Sequence, residues 1–155
     1  SFQTYNIAKA RTQGVEAGIE TRPAKGVRVF GATTWLDTEV RSADYYFSTG
    51  VAGDKLLRRP TLTLSLGVEI VPNDDWIFGA SASHLRGRED YDWNSGSRVS
   101  LPDAAFVRVW IRRVLSDKTE LSLRIENLFG EDAPPAALGF GAQPRSAYVG
   151  LTRKF

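Results

Sequence analysis

The chain has 155 residues, no cysteine, and 20 Lys and Arg against 18 Asp and Glu, for a net charge of +2. This length is typical of a single domain, and the lack of cysteine excludes a disulfide scaffold, a thiol nucleophile and Cys-ligated metals. The small net charge does not favour a nucleic-acid partner. No apolar run reaches the roughly 20 residues of a membrane helix, whereas membrane β-barrels, whose strands are only half apolar, remain possible.

Seven segments alternate between apolar and polar residues, which is the pattern of β-strands with two different faces. In chain order they are residues 12–22, 27–36, 61–71, 76–85, 104–113, 119–129 and 146–155. The clearest is 61–71, where one face carries Leu62, Leu64, Leu66, Val68 and Ile70. No comparable stretch shows helical spacing. The sequence therefore predicts an all-β fold of about seven strands, in one domain spanning residues 1–155.

The connections between these strands alternate in length. Turn-forming residues build the short ones, at 23–26, 72–75 and 116–118, whereas Gly, Asp, Ser and Pro are frequent in the long ones, at about 39–60, 87–102 and 130–145. Outer-membrane barrels sort their connections in this way, with short periplasmic turns and long extracellular loops. The sequence thus predicts an antiparallel transmembrane β-barrel segment with a lipid-facing apolar side and a lumen-facing polar side.

Aromatic residues lie near the ends of several predicted strands, as Trp35, Trp76, Phe78, Phe129, Tyr148 and Phe155. Membrane barrels carry girdles of aromatic residues at both membrane interfaces. We therefore expect these residues to form girdles, although aromatic residues that cap the core of a soluble barrel would give the same pattern.

Residues with catalytic chemistry are scarce. His84 is the only histidine, and no serine or carboxylate stands at a spacing that would complete a triad. The pair Gly139 and Gly141 lacks the third glycine of a dinucleotide motif. We predict that the chain is not an enzyme and needs no cofactor.

One acidic stretch is a weak candidate for a calcium site. Asp90, Asp92 and Asn94 place oxygen ligands at alternate positions ahead of Gly96. The glycine is one place late for an EF-hand, and the twelfth position is Leu101 instead of Glu. A solvated outer loop is the main interpretation of this stretch, and calcium is the alternative.

The long connections contain aromatic residues in otherwise polar surroundings, namely Tyr45, Tyr46, Phe47, Tyr91, Trp93 and Phe140. Exposed aromatic side chains often mark binding surfaces. They are candidates for contact with a substrate, and the packing of loop against loop is an equal alternative.

Four segments, in chain order, resemble the TonB-dependent outer-membrane receptors, and within them the cobalamin-transporter-like branch. They are YNIAKARTQGVEAGIE at 5–20, TTWLDTEV with LLRRP at 33–40 and 56–60, LSLRIENLFGED at 121–132, and RSAYVGLTRKF at 145–155. The resemblance covers essentially the whole chain. It implies the last third of a barrel of about 22 strands that surrounds an N-terminal plug.

The resemblance also implies a function and a set of partners. A receptor of this kind lies in the bacterial outer membrane and takes up a scarce chelate, such as cobalamin or a ferric siderophore, with energy from the TonB complex. Its partners are outer-membrane lipid, the plug and the remaining strands, the TonB complex, and the outer-membrane assembly machinery, for which Tyr148 and Phe155 are the predicted signal. The alternatives are a small autonomous outer-membrane barrel with a structural or adhesive role, and a soluble lipocalin-like carrier.

The strand count distinguishes a fragment from an autonomous barrel. An odd number of strands cannot close with antiparallel pairing throughout. We therefore expect residues 12–22 and 146–155 not to pair with each other, and we expect the chain to be part of a larger barrel.

Overall fold

A computed structural model of the protein describes residues 9–42, 50–135 and 137–155. Within these ranges the chain forms strands and no helix, as the sequence predicts, and so no helix there could cross a membrane. The strands are β1 (Lys9–Ala24), β2 (Val27–Ser42), β3 (Leu62–Asn73), β4 (Trp76–Arg86), β5 (Arg88–Asp92), β6 (Ser97–Leu101), β7 (Ala104–Ser116), β8 (Thr119–Glu126) and β9 (Ser146–Arg153).

Seven of the strands form one antiparallel sheet in the order β1-β2-β3-β4-β7-β8-β9. This sheet confirms the prediction of about seven strands. The other two strands, β5 and β6, form a separate hairpin within the connection between β4 and β7. The sequence predicts only a loop there, because the two strands are five residues long each and do not alternate cleanly.

The connections separate the two ends of the sheet. Short turns join β1 to β2, β3 to β4 and β7 to β8 at one end, which we call the turn end. At the other end, the loop end, three long connections join the strands: the first loop (residues 43–61), the second loop (87–103, with the hairpin) and the third loop (127–145). The alternation of short and long connections is therefore confirmed.

The strand register sorts the side chains into two continuous faces, because residues opposite each other in an antiparallel pair point the same way. Leu66 lies opposite Gly31 on β2 and Ala82 on β4. The apolar face includes Val15, Val29, Leu64, Leu66, Ala82, Val107, Val109, Leu123 and Val149. The charged face carries Glu16, Glu20, Arg28, Glu69, Arg108, Arg112, Glu120, Arg124 and Glu126.

Burial is concentrated at the loop end. The buried residues are Thr38, Val40, Arg88, Asp90, Leu101, Ala104, Asn127, Ala133 and Ala137. On the apolar face, by contrast, Leu66 is 51% exposed and Val149 is 75% exposed. A sheet in water would bury this face in a core, whereas a membrane barrel presents it to lipid.

The sheet is not closed. Among the described residues β1 pairs only with β2, and β9 pairs only with β8. The expectation that the first and last strands do not pair with each other is confirmed. Each outer strand therefore presents backbone N–H and C=O groups that a neighbouring strand could pair.

On the charged face, two aromatic rings lie flat over glycines of the adjacent strand. A Cβ on Gly67 would stand 2.2 Å from the Phe30 ring, and one on Gly79 would stand 2.0 Å from the Trp110 ring. Each ring lies directly opposite its glycine in the register. The glycines leave the space that the rings fill, so the rings lie flat along the wall of the sheet.

The two faces predict opposite responses to a charged substitution. In a complete barrel reconstituted in lipid vesicles, Leu66→Arg should lower the free energy of unfolding by about 2–4 kcal/mol, because it places a cation in the hydrocarbon near the middle of β3. Its control is Ser65→Arg, one residue away on the charged face, where the side chain lies opposite Ala32 and Ser83 and points away from the hydrocarbon. Denaturant titration in vesicles measures both free energies of unfolding. Equal free energies for the two variants would contradict the assignment of the faces.

Candidate functional site

Asp90 stands at the junction of the three long loops. Its carboxylate is fully buried; Oδ1 accepts hydrogen bonds from Arg58 Nε and from the Tyr91 amide, both at 2.8 Å, and Oδ2 accepts one from the Leu138 amide at 2.6 Å. Arg58 belongs to the first loop, Asp90 and Tyr91 to the second, and Leu138 to the third. One carboxylate therefore joins all three loops.

The backbone of Arg58 adopts a conformation that its residue type disfavours. Its φ is 60°, in the left-handed region that costs a non-glycine residue about 1–2 kcal/mol. Two contacts offset this cost: the Arg58 amide donates to the Glu89 carbonyl at 2.7 Å, and the side chain forms the ion pair with Asp90. The hairpin thus holds Arg58 by both its backbone and its side chain.

A second arginine joins the hairpin to the first loop. Arg98 pairs with Glu89 on the opposite strand at 2.7 Å and lies 3.6 Å from the carboxylate of Asp54. Its guanidinium also donates to the Lys55 carbonyl at 2.6 Å. The attachment of the hairpin to the first loop therefore does not depend on Asp90 alone.

Arg88 joins the hairpin to the third loop. Only 1% of the residue is exposed, and its guanidinium donates to the carbonyls of Pro134 and Pro102, the latter at 2.6 Å. Burial lowers the pKa of Arg88, while the nearby carboxylates of Asp103 and Glu131 act in the opposite direction. Arginine stays charged in proteins, so a buried cation ties the start of β5 to the third loop.

The third loop is also braced from within. Asn127 donates to the carbonyls of Glu131 and Gln143, at 2.7 and 2.8 Å, and accepts the Glu131 amide at 2.8 Å. The Glu131 carboxylate accepts the amides of Ala133 and Ala105, and these bonds lower its pKa. The loop is therefore folded against the ends of β7 and β8.

The balance of forces on Asp90 favours its charged form. Burial raises the pKa of Asp90, but the bonds from the Leu138 amide, the Arg58 guanidinium and the Tyr91 amide outweigh burial and lower it below the usual value. A carboxylate that accepts several N–H groups is stabilised as the anion.

The residues proposed for calcium have protein partners in the structure. The Asp90 carboxylate accepts hydrogen bonds from Arg58, Tyr91 and Leu138. The Asp92 carboxylate accepts the amide of Asn94 at 2.9 Å, and this bond lowers the pKa of Asp92. In the described part of the chain, no group of three His, Asp or Glu side chains could hold a metal ion. Calcium binding stays a prediction. In the structure, the carboxylates of Asp90 and Asp92 accept hydrogen bonds from protein N–H groups.

The predicted binding aromatics are partly visible at the loop end. Tyr45, Tyr46 and Phe47 lie outside the described residues. The rings of Tyr91 and Trp93 meet edge to face at 4.9 Å, and Trp93 is 75% exposed. Phe140 is exposed in the third loop. The structure thus presents Trp93 and Phe140 from two loops that Asp90 joins.

The two residues of the predicted assembly signal lie in different environments. Tyr148 lies on the charged face, where the Arg124 guanidinium is 4.9 Å from its ring centre and Gln143 donates to its hydroxyl at 2.8 Å. Its place in a lipid-facing girdle was therefore wrong, because the alternation of β9 turns it to the lumen side. Phe155 follows β9 and is fully exposed. The role of both residues in assembly stays a prediction.

Other aromatic residues do lie on the apolar face near the strand ends. Trp35 lies opposite Val15 and Leu62, close to the loop end. Trp76 and Phe78 stack at 5.6 Å near the turn end. These positions fit interfacial girdles.

Ion pairs form on the charged face, both between neighbouring strands and, for Arg124 and Glu126, within β8. Arg28 pairs with Glu20 at 2.7 Å, and Arg108 and Arg124 both approach Glu126, at 2.9 and 3.0 Å. Between β7 and β9 an open groove of about 540 Å³ is lined by three arginines and two aromatic rings, namely Arg108, Arg112, Arg124, Trp110 and Tyr148. The groove thus combines arginine and aromatic side chains with the carboxylate of Glu120, on a face that carries charges of both signs.

Comparison with known proteins identifies relatives of this architecture. The model of a family described as TonB dependent receptor-like, beta-barrel, matches residues 1–128. No curated protein matches the chain.

Several solved structures are similar in fold. The siderophore receptor PiuA from Acinetobacter baumannii has a TM-score of 0.77 at 18% identity, over 94% of this chain and 22% of PiuA. The ferric-catecholate import receptor Fiu from E. coli K12 has a TM-score of 0.77 at 17% identity, over 94% and 21%. The ferripyoverdine receptor of the Pseudomonas aeruginosa outer membrane has a TM-score of 0.71 at 21% identity, over 94% and 20%. The chain thus spans about a fifth of the length of each of these proteins.

Acid should loosen the loop junction only below the usual range of aspartate. Because the pKa of Asp90 is lowered by folding, its stabilising contribution is complete above the unfolded pKa of about 3.9 and is lost as the pH falls through the lower folded pKa. The NMR shift of the Leu138 amide proton should follow this transition, and Asp90→Asn should abolish it. A midpoint above about pH 4 would contradict the assignment.

Proposed function

The chain belongs to the TonB dependent receptor-like β-barrel family, and from this premise we propose that it forms the C-terminal wall of an outer-membrane receptor for a ferric siderophore. The TonB complex would supply the energy for uptake. The chain would contribute seven strands of the barrel wall and three of its outer loops.

The distribution of burial is the observation that carries this proposal. The sheet exposes an apolar face on one side and ion-paired charges on the other, and its buried residues gather in the loops beyond the sheet. A wall between lipid and a polar lumen needs these two faces. A ligand that arrives from outside would meet the loops, where Trp93 and Phe140 are exposed.

The choice of a ferric siderophore over cobalamin is part of the proposal. PiuA and the other siderophore receptors named above share the fold of this chain, but their sequence identity to it is too low to assign a ligand. Exposed aromatic rings offer apolar contact area to a large ligand, and cobalamin would use them equally well. A binding assay with both ligands separates the two.

We assign each expected partner to one surface of the chain. Lipid would cover the apolar face, and the rest of the barrel would pair with the free edges of β1 and β9. The plug would lie against the charged face and its arginine-lined groove. The outer-membrane assembly machinery would recognise the last strand, with Phe155 at its end.

Removing the exposed aromatics should weaken binding. In the intact receptor, Trp93→Ala and Phe140→Ala should each lower affinity for the ferric siderophore about 5- to 30-fold, the usual effect of removing a central aromatic contact. Leu115→Ala is the control, since Leu115 is exposed and apolar but lies at the turn end, away from the three loops. Equilibrium binding to outer-membrane vesicles, with ferric siderophore and with cobalamin, gives the affinities. Binding of cobalamin alone, or of neither ligand, would refute the proposal.

Loss of the terminal aromatic should impair assembly. Deleting Phe155 should lower the amount of folded receptor in the outer membrane of cells more than it lowers refolding in detergent, because only the cell uses the assembly machinery. Lys154→Ala, one residue away, is the control. Heat-modifiable gel mobility measures folded protein in both settings. Native yields of the deletion variant in cells would contradict the assignment of Phe155.

A further inference from the structure

We infer that Asp90 is the positioning residue of the ligand-binding loops: it holds the three loops in one arrangement and thereby fixes where Trp93 and Phe140 stand. This inference rests on the proposed function for its second half, the effect on ligand binding. Its first half, the coupling of the loops, depends only on the contacts of Asp90.

The number of donors around Asp90 requires a carboxylate. Three N–H groups converge on its two oxygens, from Arg58, Tyr91 and Leu138, and the residue is 0% exposed. An asparagine has a single acceptor oxygen, and its NH₂ group would face one or two of these donors. The substitution Asp90→Asn would therefore break the link to one loop while it keeps the size of the side chain.

Short paths lead from the Asp90 carboxylate to both aromatic residues. The Tyr91 amide that Asp90 accepts belongs to the residue whose ring contacts Trp93. The Leu138 amide lies in a tight turn in which the Phe140 amide donates to the carbonyl of buried Ala137 at 3.2 Å. Asp90 therefore holds the backbone close to each exposed ring, at Tyr91 before Trp93 and at Leu138 before Phe140.

Other contacts keep the loops folded when Asp90 is changed. Arg98 still joins the hairpin to the first loop, and Arg88 still joins it to Pro134 of the third loop. We therefore expect Asp90→Asn to loosen the loops without unfolding them. Its matched control is Asp92→Asn, which makes the same chemical change two residues away, where the carboxylate accepts only local hydrogen bonds.

Distances between spin labels test the coupling. The chain has no cysteine, so once any cysteine in the rest of the receptor is replaced, pairs of labels can be placed at exposed Ser100 of the hairpin with Val51 of the first loop, or with Gly141 of the third. We expect narrow distance distributions in the native receptor and in the control Asp92→Asn, and a broad distribution for at least one of the two pairs in Asp90→Asn. Arg58→Ala should broaden only the pair to the first loop. Distributions as narrow in Asp90→Asn as in the native receptor would overturn the inference.

Affinity tests the consequence for binding. Asp90→Asn should lower affinity for the ferric siderophore about tenfold, because loosened loops must be ordered on binding, while Asp92→Asn should leave it unchanged. In a receptor that carries both Trp93→Ala and Phe140→Ala, the same Asp90→Asn change should cost almost no further affinity, since no ring remains to be positioned. A further tenfold loss in that background would show that Asp90 acts otherwise and would overturn the positioning role.

The two measurements separate failure of the inference from failure of the proposed function. A native receptor that binds no ferric siderophore would refute the proposed function, and the label distances would still decide whether Asp90 couples the loops. Normal siderophore binding together with rigid loops in Asp90→Asn would refute the inference and leave the proposed function intact.

Discussion

The main constraint on this chain is that backbone polar groups in contact with lipid must find their partners within the sheet, because no water is there to replace them. Long, regular strands with continuous register meet this constraint, and β1 and β2 pair over almost their whole length. The same constraint makes the free edges of β1 and β9 incompatible with an isolated sheet in a membrane. The continuous strand pairing and the need for further strands at the two free edges thus have one physical cause.

A wall with lipid on one side has no place for a conventional core, and the chain instead buries residues beyond the end of the sheet. There the buried groups include charges, of which Arg88 and Asp90 are the most enclosed. Buried charges are stable only when neighbouring groups satisfy them, and in this cluster the satisfying groups come from different loops. Polar burial therefore gives the loops a definite arrangement that apolar contacts alone would specify less sharply.

The sequence was sufficient to predict the sheet but not the loop junction. Alternation is local, so each strand and its two faces could be predicted from a few residues, such as Leu62 to Ile70. The partners of Asp90 lie 32 and 48 residues away along the chain, at Arg58 and Leu138, and no local pattern indicates such contacts. The prediction for Tyr148 is wrong for a different reason: nearness to a strand end does not determine which face a side chain occupies, whereas the alternation along β9 does.

The concentration of buried residues at the loop end has a consequence for how this protein can diversify. Residues such as Arg58, Arg88 and Asp90 are constrained by several partners at once, whereas Trp93 and Phe140 extend from that junction with most of their surface free. Mutations at these exposed positions can therefore accumulate without disturbing the contacts around Asp90. In a receptor of the proposed kind, a change of ligand would then need only substitutions at the exposed loop residues, much as antibodies vary their binding loops on a constant scaffold.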